Sequence, residues 1–165
     1  MTISARRMTR SGVSNPRFTL DTNILVYSVD DKDDGRHSLA VQIVDRAVEV
    51  DCWLTLQSLS EFYWAVTRKR IMPAARAATL VRHWLTLFPS TTVSAYAVRT
   101  APADAVAGRA SYWDALLVAT AAEAGCRLIL TEDLADGTTL GGVAIHNPFA
   151  AGSGLTVRAR GLLGL

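Results

Sequence analysis

Short apolar runs alternate along this chain with longer segments of helical periodicity. The strand-like runs lie at residues 17–20, 51–57, 127–131 and 143–146. Between them, apolar residues recur at spacings of three and four, which predicts amphipathic helices at 36–50, 58–70, 74–88 and 112–124. Shorter helices are predicted at 22–29 and 101–108, and a further short strand at 91–94. This alternation predicts an α/β protein, a three-layer α/β/α sandwich around a central, mainly parallel sheet.

The two ends of the chain do not share this alternation. Residues 1–16 are rich in Ser, Thr, Arg and Gly and have no apolar period, so a mobile N-terminal tail is predicted there. Residues 17–149 are predicted to form one domain. The glycine-rich stretch at 150–165 has no assigned element and is taken as a C-terminal tail.

Composition narrows the class of protein. The chain has 165 residues, of which 50% are apolar and 19% charged, and this describes one compact domain with a substantial core. The formal net charge of +2 gives no overall sign of a nucleic-acid partner, but Arg68, Lys69 and Arg70 form a local basic cluster. That cluster would suit a phosphate backbone, and it is equally compatible with an ordinary solvated helix end.

Four acidic side chains lie at predicted strand-to-helix junctions: Asp21, Glu61, Asp114 and Asp133. In an open α/β sheet such junctions fall on the carboxyl edge, where these folds place their sites. Carboxylates gathered at one edge raise each other's pKa values unless a cation neutralises them. Hard divalent ions such as Mg²⁺ favour oxygen ligands of this kind. The pattern predicts a metal-dependent hydrolase, and an acidic pocket neutralised by metal beside a basic cluster suits a phosphodiester substrate.

Chain geometry supports bringing the last two acids together. A helix of about a dozen residues carries the chain ~18 Å from the carboxyl edge, and a five-residue strand returns it ~16 Å. Asp133 is therefore expected near Asp114, although nineteen positions separate them.

Each acid also has a purely structural interpretation. Ser58 and Glu61 have the spacing of a helix capping box, as do Ser111 and Asp114. Asp21 could cap the helix that follows it, and Asp133 could belong to a turn. Capping and metal binding can coexist, because helix N-termini favour anionic side chains.

Five sequence strings resemble one known family. They are LDTNIL at 20–25, SLSEF at 58–62, YWDALLVA at 112–119, LTEDL at 130–134 and VAIHNPF at 143–149. Together they resemble the PIN-domain ribonucleases, and most of all the VapC-type toxins of bacterial toxin–antitoxin pairs. The resemblance extends from about residue 18 to residue 149. It implies an endoribonuclease with RNA as substrate, a cognate antitoxin as partner and a homodimer.

The resemblance also implies roles for individual residues. The four acids would hold Mg²⁺ or Mn²⁺, and Glu61 would act through water or orient the nucleophile while the three aspartates bind more directly. Asn23, Thr131 and Asp136 match supporting polar positions, for which hydrogen bonding in helix starts and turns is the alternative. Apart from the resemblance, the charge of Arg68, Lys69 and Arg70 suits contact with the RNA backbone, and an ordinary solvated helix end is the equal alternative.

Two other functions remain open at this point. One is a PIN-fold module that binds RNA or protein without cutting it. The other is a phosphatase of the haloacid-dehalogenase type, which also has an aspartate after its first strand. That chemistry requires a second aspartate two residues later, and this chain has Asn23 there.

The cysteines and the hydropathy of the chain indicate the cellular compartment in which the protein is expected. Cys52 and Cys126 lie in or beside apolar runs and are expected to be buried thiols, which fits a reducing cytoplasm. No segment reaches the ~18–20 continuous apolar residues of a membrane span. The N-terminal arginines are not followed by the apolar region of a secretory signal. A cytoplasmic protein without membrane contact is expected.

Overall fold

The protein is described by a computed structural model that covers residues 15–32 and 34–165. The tail predicted at 1–16 lies outside these residues except for its last two positions. The described strands are β1 (Phe18–Leu20), β2 (Cys52–Thr55), β3 (Ser90–Thr91), β4 (Leu128–Leu130), β5 (Thr139–Leu140) and β6 (Val143–His146). The described helices are α1 (Thr22–Tyr27), α2 (Asp34–Ala47), α3 (Leu56–Arg68), α4 (Ala74–Leu87), α5 (Ala95–Val106), α6 (Tyr112–Glu123) and α7 (Val157–Leu163). Within these residues no helix combines the length and apolar character that crossing a bilayer requires.

The strands form one sheet in the order β3-β2-β1-β4-β6-β5. All neighbouring pairs are parallel except β5 with β6. The chain proceeds outward from β1 through β2 to β3, and then returns to the other side of β1 as β4. The direction of winding therefore reverses between β1 and β4, and crevices at the carboxyl ends of such strand pairs are where α/β folds bind ligands.

Helices cover both faces of the sheet, as the predicted three-layer sandwich requires. The larger core joins one face to α1, α2, α3, α4 and α7, and its fully buried side chains include Phe18, Leu20 and Phe62. On the other face, Ile129 and Ile145 pack with α6, and α5 packs on α6. The side chains of β4 alternate between these two cores, which fixes the register of its carboxyl end.

Several elements begin at other residues than the sequence predicted, and α2 starts two residues early, at Asp34. Helix α3 starts at Leu56 and not at Ser58, because the Thr55 hydroxyl caps it by accepting a hydrogen bond from Ser58 N at 3.0 Å. Helix α5 starts at Ala95, where Ser94 is the capping residue, and continues through Pro102. Strand β3 is Ser90–Thr91, slightly before the predicted segment, and the antiparallel β5 was not predicted.

The C-terminal segment is packed against the domain and is not a separate tail. Helix α7 buries Ala159, Leu162 and Leu163 in the larger core, together with Leu155 before it. The spacing of these apolar residues gives α7 one buried face. The packed part of the chain therefore extends beyond residue 149.

Polar contacts from Asn15 and from α2 hold the end of α7. Asn15 Nδ2 donates to the carbonyl of Leu162 at 3.0 Å, and Arg46 donates from α2 to the carbonyls of Leu163 and Gly164, each at 3.3 Å. These bonds satisfy carbonyl groups at the end of α7, which have no partner inside the helix.

The substitution Leu163→Ala is expected to destabilise the domain by about 2–4 kcal/mol, because a fully buried leucine would leave a cavity in the core. Val157 lies in the same helix but is 78% exposed, so Val157→Ala is the matched control and should change stability by less than about 0.5 kcal/mol. Urea unfolding of both variants measures the difference. Equal midpoints for Leu163→Ala and wild type would contradict this packing role for α7.

The two cysteines are free and buried, as expected from the sequence. Burial raises the pKa of the Cys52 thiol, and it raises the pKa of Cys126 to about 11. Both thiols are therefore neutral at physiological pH and act as small apolar side chains.

Candidate active site at the carboxyl edge

Asp21 occupies the centre of the carboxyl edge. It follows β1 directly, is only 5% exposed and caps α1, with Oδ1 accepting from Thr22 N at 2.6 Å. Its Oδ2 accepts from the buried Thr131 hydroxyl at 2.6 Å. Burial raises the pKa of Asp21 to about 7, and the neighbouring charges of Asp133 and Asp114 add to the increase despite these two hydrogen bonds. Asp21 therefore caps α1 and lies, buried, at the edge where the sequence predicts the site.

Glu61 is linked to Asp21 through Thr22, which donates hydrogen bonds to both acids. Its Oε2 accepts from the Thr22 hydroxyl at 3.0 Å, and its Oε1 accepts from Gln57 Nε2 at 2.8 Å. Because α3 begins at Leu56, Glu61 lies inside the helix, and the capping-box interpretation of Ser58 and Glu61 does not apply.

Asp133 is placed by β4 and α1 together. Thr131 Oγ1, already bonded to Asp21, accepts from Asp133 N at 3.1 Å. Asn23 Nδ2 donates to Asp133 Oδ2 at 3.0 Å. Thr131 and Asn23, both predicted as supporting residues, therefore hold Asp133 at the same edge as Asp21.

Asp114 lies in the first turn of α6. The cap of this helix is Ser111, whose hydroxyl accepts from Asp114 N at 3.1 Å and donates to Asp114 Oδ2 at 2.6 Å. Asp114 also raises the pKa of Asp21. Gln57 Nε2 donates to the carbonyl of Trp113 at 3.0 Å, which ties the start of α3 to the start of α6 beside this acid.

The oxygen atoms at this edge are the kind of ligand that a hard divalent cation prefers. They are carboxylate oxygens around the buried Asp21. Within the described residues, none of the groups that bond to Asp21 or shift its pKa carries a positive charge. Asn23 Oδ1 and Gln57 Oε1 are also buried without a hydrogen-bond partner there. As the side chains are placed, no three Asp, Glu, His or Cys residues of 15–32 and 34–165 are arranged to hold one metal ion. Binding would therefore require side-chain rotation of the more exposed acids.

Asp136, the third predicted supporting residue, has contacts of a different kind. Its Oδ1 accepts from Asn147 N at 2.8 Å and lies 3.0 Å from Nδ1 of the buried His146. The Asn147 amide lowers the pKa of Asp136, and His146 contributes to the same direction. Through Thr156, which lies 2.7 Å from His146 Nε2, this group connects β6 to the start of α7. These are turn contacts of the kind that the sequence left open as the alternative, and a supporting role for Asp136 stays a prediction.

The sequence interpretation did not identify several residues that organise this edge. Thr22 and Gln57 join the acids, and Gln57 could have been noticed because it precedes Glu61 by four positions on one helix. Glu132, beside Asp133, accepts a hydrogen bond from Tyr27 and forms an ion pair with Arg36 at 2.8 Å. Burial is the largest cause that raises the pKa of Tyr27, and the hydrogen bond to Glu132 raises this pKa further.

The basic cluster lies at the far end of α3. Arg68 is its last residue, Lys69 caps the helix, and Arg70 follows with a φ of 55°. All three are exposed. The Arg68 guanidinium lies 4.8 Å from the centre of the Trp64 ring, one turn closer to the acids.

A match to a family model identifies the family to which this chain belongs. The family model described as the PIN domain matches residues 18–135, which contain all four acids. The chain belongs to the PIN-domain family. No curated protein sequence matches the chain closely enough to add a relative.

Solved structures with the same fold include three VapC or VapBC proteins. Mycobacterium tuberculosis VapC20, described as a toxin that cleaves the sarcin–ricin loop, is 22% identical with a TM-score of 0.59, over 70% of this chain and 89% of that chain. VapBC2 of Rickettsia felis, bound to promoter DNA, is 14% identical with a TM-score of 0.56. DNA-bound VapBC of Salmonella typhimurium is 15% identical with a TM-score of 0.57. The last two matches each cover 79% of this chain and 97% of that chain.

The raised pKa of Asp21 predicts how stability of this PIN domain depends on pH without metal. A carboxyl with a folded-state pKa of about 7 and an ordinary value of 3.8 stabilises the fold fully at low pH, and this contribution is lost as pH rises to 7. In EDTA, the wild type should lose about 2–3 kcal/mol between pH 5 and pH 8 relative to Asp21→Asn. Urea unfolding at both pH values tests this, and parallel pH profiles would contradict it.

Proposed function

We propose that this PIN domain is a metal-dependent endoribonuclease that acts as the toxin of a toxin–antitoxin pair. The observation that carries the proposal is the buried Asp21, surrounded by other acids at the point where the sheet reverses its winding. The family supports it, since the PIN strings of this chain include all four acids. The similar VapC20 fold belongs to a toxin that cleaves RNA.

In this proposal the four acids divide the work between binding and positioning. Asp21, Asp114 and Asp133 would hold Mg²⁺ or Mn²⁺ most directly, and Glu61 would orient the attacking water. When bound, the ion would supply polarisation of the scissile phosphate and a lowered pKa for water. Thr131 and Asn23 would maintain the orientation of the aspartates through the hydrogen bonds they make now. Arg68, Lys69 and Arg70 would contact the RNA backbone.

The rival functions find less support in the same residues. A phosphatase of the haloacid-dehalogenase type needs an acid at position 23, whereas Asn23 donates an amide hydrogen to Asp133. A module that binds without cutting would have no use for a buried carboxylate whose pKa is raised to about 7, because the site destabilises the fold until a cation neutralises it.

The proposal includes partners and a location. A cognate antitoxin is expected because two similar structures are VapBC complexes. A homodimer is expected because Leu56, Tyr63 and Leu85 on α3 and α4 are partly exposed and line an apolar groove of about 370 Å³.

The cytoplasm is the expected location, since the proposed substrate is RNA. The folded domain is proposed to start near residue 17.

Metal titration tests the proposal through both stability and activity. Mn²⁺ or Mg²⁺ should raise the melting temperature of EDTA-treated protein by about 5–10 °C at hundredfold excess over Kd, because it relieves repulsion among the acids. The same ion should restore cleavage of single-stranded RNA. Asp114→Asn should reduce the thermal gain, while Asp45→Asn, an exposed acid on α2, should preserve it. Equal gains in wild type and Asp114→Asn, or RNA cleavage that persists in EDTA, would refute the metal site.

A further inference from the structure

A groove of about 630 Å³ opens directly beside the acids. Its walls are formed by Trp64, Ala65 and Trp113, and Thr22 and Glu61 form its polar end. The two indole rings are unusually exposed for their size, at 58% for Trp64 and 61% for Trp113. By contrast, Trp84 is 4% exposed and packs against Phe62 in the core. The groove therefore presents aromatic surface to solvent next to a proposed catalytic acid.

Both rings are held by neighbouring side chains. The Arg68 guanidinium lies over Trp64, with 4.8 Å between its carbon and the ring centre. The rings of Trp113 and Tyr112 form a T-shaped pair, with 5.2 Å between the ring centres. Gln57 bonds both the Trp113 carbonyl and Glu61, so the two helix starts that carry the groove are joined. A rigid aromatic surface loses little conformational entropy when it binds a planar partner.

The charges around the groove indicate which kind of partner fits. One end carries the acids that the proposed function assigns to a metal and a phosphodiester. The other end carries Arg68, followed by the exposed Lys69 and Arg70. A nucleotide chain that crosses from the acids to these cations would pass over the two tryptophans. Cationic groups that alternate with stacking surfaces are the pattern by which proteins bind single-stranded nucleic acid.

We propose that Trp64 and Trp113 form a stacking platform for unpaired bases of the RNA whose scissile phosphate lies at the acids. This inference rests on the proposed function and specifies its substrate as RNA with unstacked bases next to the cleavage point. A base in a duplex is paired and stacked on its neighbours, so its face would not be available to either ring. An apolar protein segment could fill the groove, but the Arg68 guanidinium over Trp64 would then have no phosphate to bind.

The experiment measures binding and cleavage separately. Binding is followed by the fluorescence anisotropy of a labelled pool of short single-stranded RNAs with phosphorothioate linkages in Mg²⁺. Trp64→Leu and Trp113→Leu should each weaken binding about tenfold, and the Phe variants should retain most of it. Duplex RNA should bind the wild type more weakly and should not respond to either leucine variant. In cleavage of single-stranded RNA with Mn²⁺, the leucine variants should raise KM with little change in kcat.

Trp53 provides the matched control. It lies near the amino end of β2, away from the acids, and it carries an arginine in the same manner, with the Arg17 guanidinium 4.4 Å from its ring centre. Trp53→Leu should leave RNA affinity and KM unchanged. The metal-induced rise in melting temperature should be the same in all three leucine variants, which shows that each is folded and retains the metal site.

The outcomes separate this inference from the proposed function. If the wild type cleaves RNA and Trp64→Leu and Trp113→Leu have unchanged affinity and KM, the platform is refuted and the nuclease remains. If binding depends on the two tryptophans but no metal-dependent cleavage occurs, the platform stands and the nuclease is refuted. Loss of affinity for a protein partner alone, with RNA affinity unchanged, would assign the groove to a protein segment and overturn the platform.

Discussion

Replacing Asp21 by Asn should reduce RNA cleavage by about 10³-fold or more, roughly 4 kcal/mol of transition-state stabilisation. Asn keeps the size of the side chain but removes the central negative charge of the proposed metal site. At the same time, the variant should be more stable than the wild type in EDTA above pH 7, because the buried charge that destabilises the fold is absent. Activity and stability should therefore change in opposite directions.

Cleavage rates in saturating Mn²⁺ and urea unfolding in EDTA measure the two effects. Asp45→Asn makes the same chemical change at an exposed position of α2 and should alter neither. If Asp21→Asn lost activity only because it unfolded, the denaturation curve would show it. Retention of wild-type cleavage by a folded Asp21→Asn protein would refute the role of this residue.

Thr131→Val should weaken metal binding or activity by about 10–100-fold, whereas Thr131→Ser should stay close to wild type. The Thr131 hydroxyl donates to Asp21 and accepts from Asp133 N, so it orients two proposed ligands at once. Valine has nearly the same shape but cannot form either bond. Because the Thr131 bond lowers the pKa of Asp21, its loss should also move the onset of metal binding to higher pH.

The Mn²⁺ dependence of cleavage at several pH values measures this effect. Thr120→Val is the matched control, since Thr120 is equally buried but its hydroxyl donates to Leu116 within α6. An identical Mn²⁺ dependence for Thr131→Val and Thr131→Ser would show that the hydroxyl does not organise the site.

The sequence predicted the sandwich and placed the acids at its carboxyl edge because both depend on local patterns. Apolar periodicity identified β1, β4, α2 and α6, and the parallel sheet then required their ends to share an edge. Asp114 and Asp133 both raise the pKa of Asp21, so both lie near that carboxylate, and their approach to each other stays a prediction. These features follow from the period of side chains and from element length, which one sequence displays.

The remaining features depend on contacts between distant segments. Helix α7 was not predicted because its buried face is defined only by the core that it covers. No local pattern indicates that Pro102 lies inside α5, which begins after the Ser94 cap and therefore earlier than predicted. Asp136 follows the acidic string and was grouped with it, yet β6 and Asn147 determine its contacts. Thr22 connects Glu61 to Asp21 only after α1 and α3 have packed.

The position of β1 in the middle of the sheet has a consequence for synthesis of the protein. Its partner β4 is made more than a hundred residues later, and Asp21 meets Thr131 across 110 positions of sequence. A ribosome-bound chain that has not yet released residues 128–133 has three of the four acids but lacks Thr131 and Asp133, so the proposed site is not assembled. Assembly of the proposed site therefore waits until β4 and Asp133 have left the ribosome, and the long loop that must close slows this step of folding.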